Sequence, residues 1–244
     1  MKKQRLDLAL VERGLADTRS KAQSLIMARR VLVNGAYVDK AGAALGGDDE
    51  ITLVALEHPW VGRGGMKLAH ALKEFAIDVR GKVCADLGAS TGGFTDVLLQ
   101  SGAARVYAVD VGYGQLDASL RHDPRVVVRE KVNARYLEMS DFDEAIDFAS
   151  IDVSFISLTL ILPAVAKFLR GELVALIKPQ FEVGKSDVGK GGIVRDDAKR
   201  AAAVDVVVAF ARSAGFDVKG VIESPVKGAE GNVEFLMFAS PRSS

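Results

Sequence analysis

From Lys82 onward, short apolar runs of strand character alternate with helical stretches, and no other feature limits the fold as strongly. The runs cover residues 83–87, 105–111, 126–129, 146–151, 173–177, 218–223 and 233–238. The clearest helical stretches between them cover 93–101, 158–169 and 196–214. Such alternation predicts a parallel, doubly wound α/β sheet, because parallel neighbours need a crossover and a helix supplies it. A short loop separates the last two runs, so they pair as a hairpin and bring one antiparallel strand into a seven-stranded sheet.

Asp86-Leu87-Gly88-Ala89-Ser90-Thr91-Gly92-Gly93-Phe94-Thr95 follows the first strand and opens a helix. Glycines at this turn let backbone approach a ligand closely, as in nucleotide-binding βα units. The spacing differs from the Gly-x-Gly-x-x-Gly dinucleotide pattern. An acid, Asp86, stands two residues before the first glycine, where it suits the ammonium of a methionine-like ligand and would repel a pyrophosphate. Asp110 ends the next strand, where an acid holds ribose hydroxyls. Asn133, after the third strand, is a candidate for an adenine pocket. Gly184-Lys185-Ser186-Asp187-Val188-Gly189-Lys190 mimics a P-loop, but position 191 is Gly where the motif needs Ser or Thr. Residues 183–193 read instead as a Gly/Lys loop that touches RNA through Lys185 and Lys190.

For acceptor chemistry, the run after the fourth strand is Asp152-Val153-Ser154-Phe155, not the Asn/Asp-Pro-Pro-aromatic run of base-amino methylation. Cytosine-C5 methylation needs a nucleophilic cysteine, and the one cysteine, Cys84, is buried by pattern inside the first strand. What remains is charged: Lys67 at a helix start, and Asp152, Lys178 and Glu234 at or within apolar strands. A glutamate in such a strand is costly unless partnered.

Composition limits the rest. With 49% hydrophobic residues, 244 residues are enough for a small domain plus a catalytic one. The net charge is zero but uneven: residues 2–30 hold eight Lys/Arg against three acids, and residues 31–60 hold one lysine against five. A basic face on a neutral protein suits an RNA-docking module. Cys84 alone excludes a disulfide framework or cysteine-rich zinc site, and His58, His70 and His122 are scattered. No apolar run approaches the ~18–20 residues of a membrane span. Asp7, Glu12 and Arg13 interrupt any signal-peptide core. A soluble, cytoplasmic protein with no membrane partner is expected.

Residues 5–16 read as a helix with Asp7 as N-cap and Gly14 as its stop, and residues 18–30 as a second helix capped by Asp17 or Thr18. Val31-Leu32-Val33, Asn34-Gly35 and Tyr37-Val38 give a β-hairpin, and a further strand covers 51–54. Residues 59–62, with Pro59 and the lone Trp60, read as a linker between a domain at 1–58 and one at 63–244; Trp60 is expected as a hydrophobic anchor.

Arg5-Leu6-Asp7, Thr18-Arg19-Ser20-Lys21-Ala22 and Arg30-Val31-Leu32-Val33-Asn34-Gly35 together resemble the S4 RNA-binding domain over residues 4–55. The resemblance implies a small α+β domain with phosphate contacts from Arg5, Arg19, Lys21, Arg29 and Arg30. The hairpin ending of the sheet is typical of class I, Rossmann-like methyltransferases. Lys67, Asp152, Lys178 and Glu234 look like the catalytic tetrad of FtsJ/RrmJ-type ribose 2′-O-methyltransferases. Adding Arg63-Gly64-Gly65-Met66-Lys67-Leu68, Asp110-Val111-Gly112-Tyr113-Gly114-Gln115-Leu116 and Lys178-Pro179-Gln180-Phe181-Glu182-Val183-Gly184-Lys185, nearly the whole chain resembles the TlyA family.

That resemblance implies S-adenosyl-L-methionine as cofactor, held by Asp86, Gly88, Ser90, Thr91, Gly92, Gly93, Phe94, Asp110 and Asn133. It implies methylation of cytidine 2′-hydroxyls in ribosomal RNA, naked or in an assembled subunit, and no metal. The chain stops ten residues after Glu234, which favours the shorter class that acts on the large subunit only. Lys178, crowded by Lys67 and desolvated, is expected as general base, with Asp152 and Glu234 orienting the two lysines. The rival readings are a non-catalytic RNA-binding protein with a methylase fold, and a membrane-lysing protein, as the family's hemolysin label suggests. Intact cofactor and tetrad positions count against the first, and the lack of a transmembrane or lytic amphipathic helix against the second.

Overall fold

Asn34 and Gly35 both take positive φ, 51° and 78°, which a two-residue hairpin turn demands and which Asn and Gly tolerate. The turn joins β2 (Val31–Val33) to β3 (Ala36–Tyr37), and β5 (Ile51–Leu53) pairs antiparallel with the other edge of β2. A second short pair joins β1 (Gln4–Arg5) to β4 (Ala44–Leu45). Helices α1 (Leu6–Glu12) and α2 (Arg19–Met27) contribute Leu6, Leu10, Leu25 and Ile26 to a core shared with Val31 and Leu45. Thr18 Oγ1 accepts the Lys21 N–H at 3.1 Å, so Thr18 is the cap that α2 uses.

Asp7 departs from its expected place as a cap. Arg5 occupies the N-cap position of α1, and Asp7 lies in the first turn, fully buried. Its carboxylate turns to Arg5, Arg19 and Gln23, since charge-assisted bonds to guanidinium outweigh one bond to a backbone N–H.

The structure is a computed structural model that describes residues 4–27, 30–54, 58–184, 187–189, 191–228 and 231–242. These elements belong to a first compact unit, Met1–Pro59; a second comprises Trp60–Ser244. Trp60 packs within the second unit, where a Cβ on Gly65 would lie 2.8 Å from its Cβ and Cγ atoms.

In the second unit α3 (Gly65–Glu74) precedes β6 (Val83–Leu87), α4 (Gly93–Gln100), β7 (Arg105–Asp110), α5 (Ala118–Arg121), β8 (Val126–Glu130) and β9 (Ile146–Ile151). There follow α6 (Leu162–Phe168), β10 (Leu169–Ile177), α7 (Pro179–Glu182), α8 (Asp197–Ser213), β11 (Phe216–Glu223) and β12 (Phe235–Pro241). The seven strands run in the order β11-β12-β10-β9-β6-β7-β8. Strands β10, β9, β6, β7 and β8 run parallel, and β12 is antiparallel to both its neighbours, as the short final loop predicts. Strand β10 starts earlier than expected because Arg170-Gly171-Glu172, polar in sequence, joins the ladder after a register shift. Alternate residues of β6 face different cores: Ala85 and Leu87 pack into one cluster and Cys84 into the other.

Candidate active site

Strands β7 and β8 lie on one side of β6 and β9 and β10 on the other, so the winding reverses between β6 and β9. In open α/β sheets the ligand crevice forms outside the strand ends at that reversal. The two ends touch here. The Asp152 N–H donates to Leu87 O at 2.8 Å, and a Cβ on Gly88, whose φ is 88°, would lie 2.4 Å from Asp152 O. Only glycine permits that approach.

A cavity of about 490 Å³ opens at this point, lined by Gly88, Ser90, Asp110 and Asn133 together with Gln115, Val132 and Ile161. Asp110 is fixed by the chain it meets: its carboxylate accepts the Ser90 and Gly112 N–H groups, each at 2.7 Å. Asn133 Oδ1 accepts the Arg135 N–H at 3.0 Å and caps a short 3₁₀ turn. A carboxylate held by two backbone donors retains acceptor capacity for vicinal hydroxyls, and Val132 and Ile161 supply apolar wall. Size and lining fit a nucleoside ligand.

The rest of the Gly-rich turn serves the site from behind. Asp86 does not line the cavity, because it shares the Cys84 side of β6 and is fully buried. Its two oxygens accept Thr95 Oγ1 at 2.7 Å and Ser150 Oγ at 2.9 Å. Burial pushes its carboxyl up to about 7 against those two bonds, with the Asp152 charge adding to the rise. Thr91, Gly92, Gly93 and Phe94 also lie outside the cavity lining. Thr91 O accepts the Asp117 N–H at 3.1 Å. Gly92 takes φ 97° as the N-cap of α4, and Phe94 belongs to the core. A Cβ on Gly93 would lie 3.0 Å from Gly65 N, so the turn seats the start of α3, the helix that carries Lys67.

A second cavity, of about 390 Å³, shares Gly88, Ser90, Asp152, Ser154 and Phe155 with the first. All four tetrad residues line it. Ile177 pairs with Phe235 across β10 and β12, so Lys178 and Glu234, one residue beyond each, meet at the same sheet edge. Lys67 Nζ contacts Glu234 Oε2 at 2.6 Å, and Lys178 Nζ contacts Asp152 Oδ1 at 2.6 Å. The Lys67, Lys178 and Glu234 side chains are at most 10% exposed. Glu234 precedes β12 instead of lying within it. Its carboxylate rests on Gly228, where a Cβ would lie 1.9 Å from Oε1. The expected crowding of Lys178 by Lys67 takes another form, with each lysine paired to its own carboxylate. Burial pushes the Cys84 thiol up to about 12, which keeps it inert, as its strand pattern predicts.

Four residues of this site were not singled out from sequence. Ser154 Oγ accepts a second bond from Lys178 Nζ at 2.9 Å. Phe155 is 91% exposed with φ 63°, its ring 5.1 Å from Phe181. Glu182 accepts Ser157 Oγ at 2.5 Å and the Leu158 N–H at 2.9 Å, tying the Lys178 turn to the Asp152 loop; burial raises its carboxyl. Arg63 is exposed and lines the second cavity. Only a period of two on β9, continued past its end, hints at any of these.

Of the expected RNA contacts, Arg5 and Arg19 are about half exposed and bound to Asp7. Lys21 is exposed, and Arg30 is turned back to Val54 O at 3.3 Å. Arg29, Lys185 and Lys190 lie outside the described residues. Further along the chain, Asn232 accepts the Val194 N–H at 3.0 Å and donates to Gly192 O at 2.9 Å.

An FtsJ-like methyltransferase model matches residues 60–240, and an S4 domain model matches residues 4–51. The 16S/23S rRNA (cytidine-2′-O)-methyltransferase TlyA of Mycobacterium tuberculosis is 48% identical over 237 residues, spanning 96% of this chain and 88% of that protein. A solved hemolysin-named protein from Streptococcus thermophilus superimposes with a TM-score of 0.78 at 47% identity, covering 100% of this chain and 90% of its own. A solved structure from Listeria monocytogenes, assigned to the S-adenosylmethionine-dependent methyltransferases, superimposes with a TM-score of 0.54 at 20% identity, over 74% of this chain and 99% of its own; it bears on the fold alone.

Proposed function

The chain belongs to the TlyA branch of the FtsJ-like methyltransferases, with an S4 domain preceding the catalytic unit, and on that premise we propose that it methylates the 2′-hydroxyl of cytidine riboses in ribosomal RNA. The observation that carries the reading is the pair of buried lysine–carboxylate contacts in a cavity that adjoins, at Gly88 and Asp152, a nucleoside-sized one. Large-subunit RNA is the first substrate to test and small-subunit RNA the second.

S-adenosylmethionine, when bound, supplies an electrophilic methyl group on a sulfonium. Asp110 would hold its ribose hydroxyls, Asn133, Val132 and Ile161 would flank the adenine, and Gly88 and Ser90 would border the path to the second cavity. A ribose hydroxyl is a poor nucleophile near neutral pH, so the chain must take its proton as the oxygen attacks. Lys178 Nζ, which must first have given up its own proton, would receive that one, and Asp152 and Ser154 would keep the resulting ammonium in place. Lys67, oriented by Glu234, adds positive charge where the oxygen gains negative charge. Phe155 and Phe181 offer an aromatic surface on which an unstacked base can rest, and Arg63 a guanidinium for its phosphate.

The test is transfer of labelled methyl from S-adenosylmethionine to ribosomal RNA and to purified subunits, with the product located by nuclease digestion. Label on cytidine ribose supports the proposal. Label on a base, or none on either substrate, sinks it. Among the described residues no helix is long and apolar enough to cross a membrane, and a dye-loaded liposome assay separates the lytic reading from the enzymatic one.

A further inference from the structure

We infer that Asp7 is a positioning residue that presents Arg5 and Arg19 as a paired guanidinium cradle for one backbone phosphate of RNA. The inference rests on the RNA-docking role of the N-terminal unit and specifies a phosphate site within it.

The Asp7 carboxylate accepts four hydrogen bonds. Oδ1 takes Arg5 Nε at 3.0 Å, while Oδ2 takes Arg5 Nη2 at 2.9 Å, Arg19 Nε at 2.9 Å and Gln23 Nε2 at 3.0 Å. An ionised carboxyl has about four acceptor sites, so its capacity is spent on these side chains. Because Arg5 Nη2 and Arg19 Nε share one oxygen, those two nitrogens are at most twice 2.9 Å apart.

The exposure is lopsided. The carboxylate is 0% exposed, whereas the Arg5 and Arg19 side chains are 48% and 54% exposed. Among the described residues, Arg5 spends Nε and Nη2 on Asp7 and keeps Nη1, while Arg19 spends Nε and keeps both Nη groups. Glycine at position 42 leaves room beside the remaining fork, since a Cβ there would lie 3.2 Å from Arg5 Nη1. One guanidinium would neutralise one buried carboxylate. The second leaves the cluster with a net positive charge, which an outside anion can offset. A phosphodiester suits that place, because its two free oxygens match guanidinium donors and both forks are already immobilised.

The sign of the effect of Asp7→Asn is diagnostic. Removing a negative charge from an RNA-binding face should tighten RNA binding on electrostatic grounds alone. If Asp7 positions the arginines, binding weakens instead. The experiment measures the affinity of the full chain for a large-subunit ribosomal RNA transcript across a salt series, with thermal unfolding followed alongside. We expect Asp7→Asn to weaken binding about tenfold near physiological salt and to lower the salt slope by about one phosphate contact. In the Arg5→Gln/Arg19→Gln background, Asp7→Asn should have no further effect, which a purely structural role would not produce. Tighter or unchanged binding by a folded Asp7→Asn chain overturns the inference.

If Asp7→Asn unfolds the N-terminal unit, Arg5→Lys/Arg19→Lys carries the test. It keeps the charge and loses the forks, so about fivefold weaker binding is expected and parental affinity overturns the cradle. Failure of the underlying reading looks different: the triple variant Arg5→Gln/Arg19→Gln/Lys21→Gln would then bind RNA as tightly as the parent. A weakened triple variant beside a tighter Asp7→Asn chain defeats the cradle alone.

Discussion

Glu234→Gln keeps the shape of a side chain that packs on Gly228, yet removes the charge facing Lys67. The two side chains are 2% and 9% exposed and meet at 2.6 Å, so neither group has water to fall back on. Deleting one partner of such a pair leaves the other charge buried and uncompensated, at a cost of about 3–5 kcal/mol. The catalytic unit spans Trp60–Ser244. At that size each kcal/mol moves the melting temperature by roughly 2–4 °C. Glu234→Gln and Lys67→Met should therefore each lower Tm by at least ~6 °C. The double replacement Lys67→Met/Glu234→Met removes both charges, and its stability should return to within ~1 kcal/mol of the parent or exceed it. Methyl transfer should stay lost in the double variant, because the positive charge beside the acceptor oxygen is gone. Scanning calorimetry and single-turnover transfer of labelled methyl, on the same preparations, read both quantities. Single variants that melt within 2 °C of the parent would show that the pair is not desolvated. A double variant that melts like the parent and methylates like it would show that the pair serves folding alone.

Lys178→Ala should slow methyl transfer by ~10²–10⁴-fold with cofactor and RNA affinity largely kept, and a rate within a few-fold of the parent at saturating cofactor rejects Lys178 as general base. Asp110→Ala should weaken S-adenosylmethionine binding in calorimetry without RNA or metal present; an unchanged affinity removes Asp110 from the ribose site. For Asp86 the sign follows from burial, which pushes its carboxyl up to about 7 in the fold against an ordinary value of 3.8. The folded state then keeps a proton that the unfolded chain releases, so its stability falls as pH rises from about 4 to 7 and levels off above. Asp86→Asn should flatten that slope in a Tm-against-pH series; a parent whose stability rises across the window contradicts the assignment.

Strands, hairpin turns and the helix-opening glycines were readable because each depends on neighbours within a few residues. Asn34-Gly35 declares its turn, and the loop before β12 declares its antiparallel partner. The acids were harder. Asp7 and Asp86 both stand where a local rule gives them a job, as a helix cap and as a ligand at a strand end. Their actual partners, Arg19 and Gln23 for Asp7 and Ser150 for Asp86, arrive from other elements. For Asp86 the correction was available in sequence, because strand alternation already places it on the Cys84 side of β6. For Asp7 no periodicity signals that a carboxylate will gather two guanidiniums. Phe155 was equally silent, since nothing in a phenylalanine announces a φ of 63°.

The tetrad combines both kinds of information. Strand ends gather at one edge of the sheet, so sequence alone places Asp152 and Lys178 together. It does not predict the pairing, since Lys67 and Glu234 lie 167 residues apart and meet where α3 packs against the start of β12. Pairing changes the chemistry that sequence alone suggests. Two bare lysines in one pocket would repel each other, whereas here each lysine has its own carboxylate in contact. An incoming hydroxyl then meets Lys178 held by two acceptors, Asp152 and Ser154. On the proposed mechanism the geometry for proton transfer is thus set before substrate arrives, and the loop that sets it is tied by Glu182 to the turn that follows Lys178. Placing base and orienting groups on two adjoining strand ends, with one carboxylate stitching them, makes the position of Nζ a property of the sheet and not of a mobile loop.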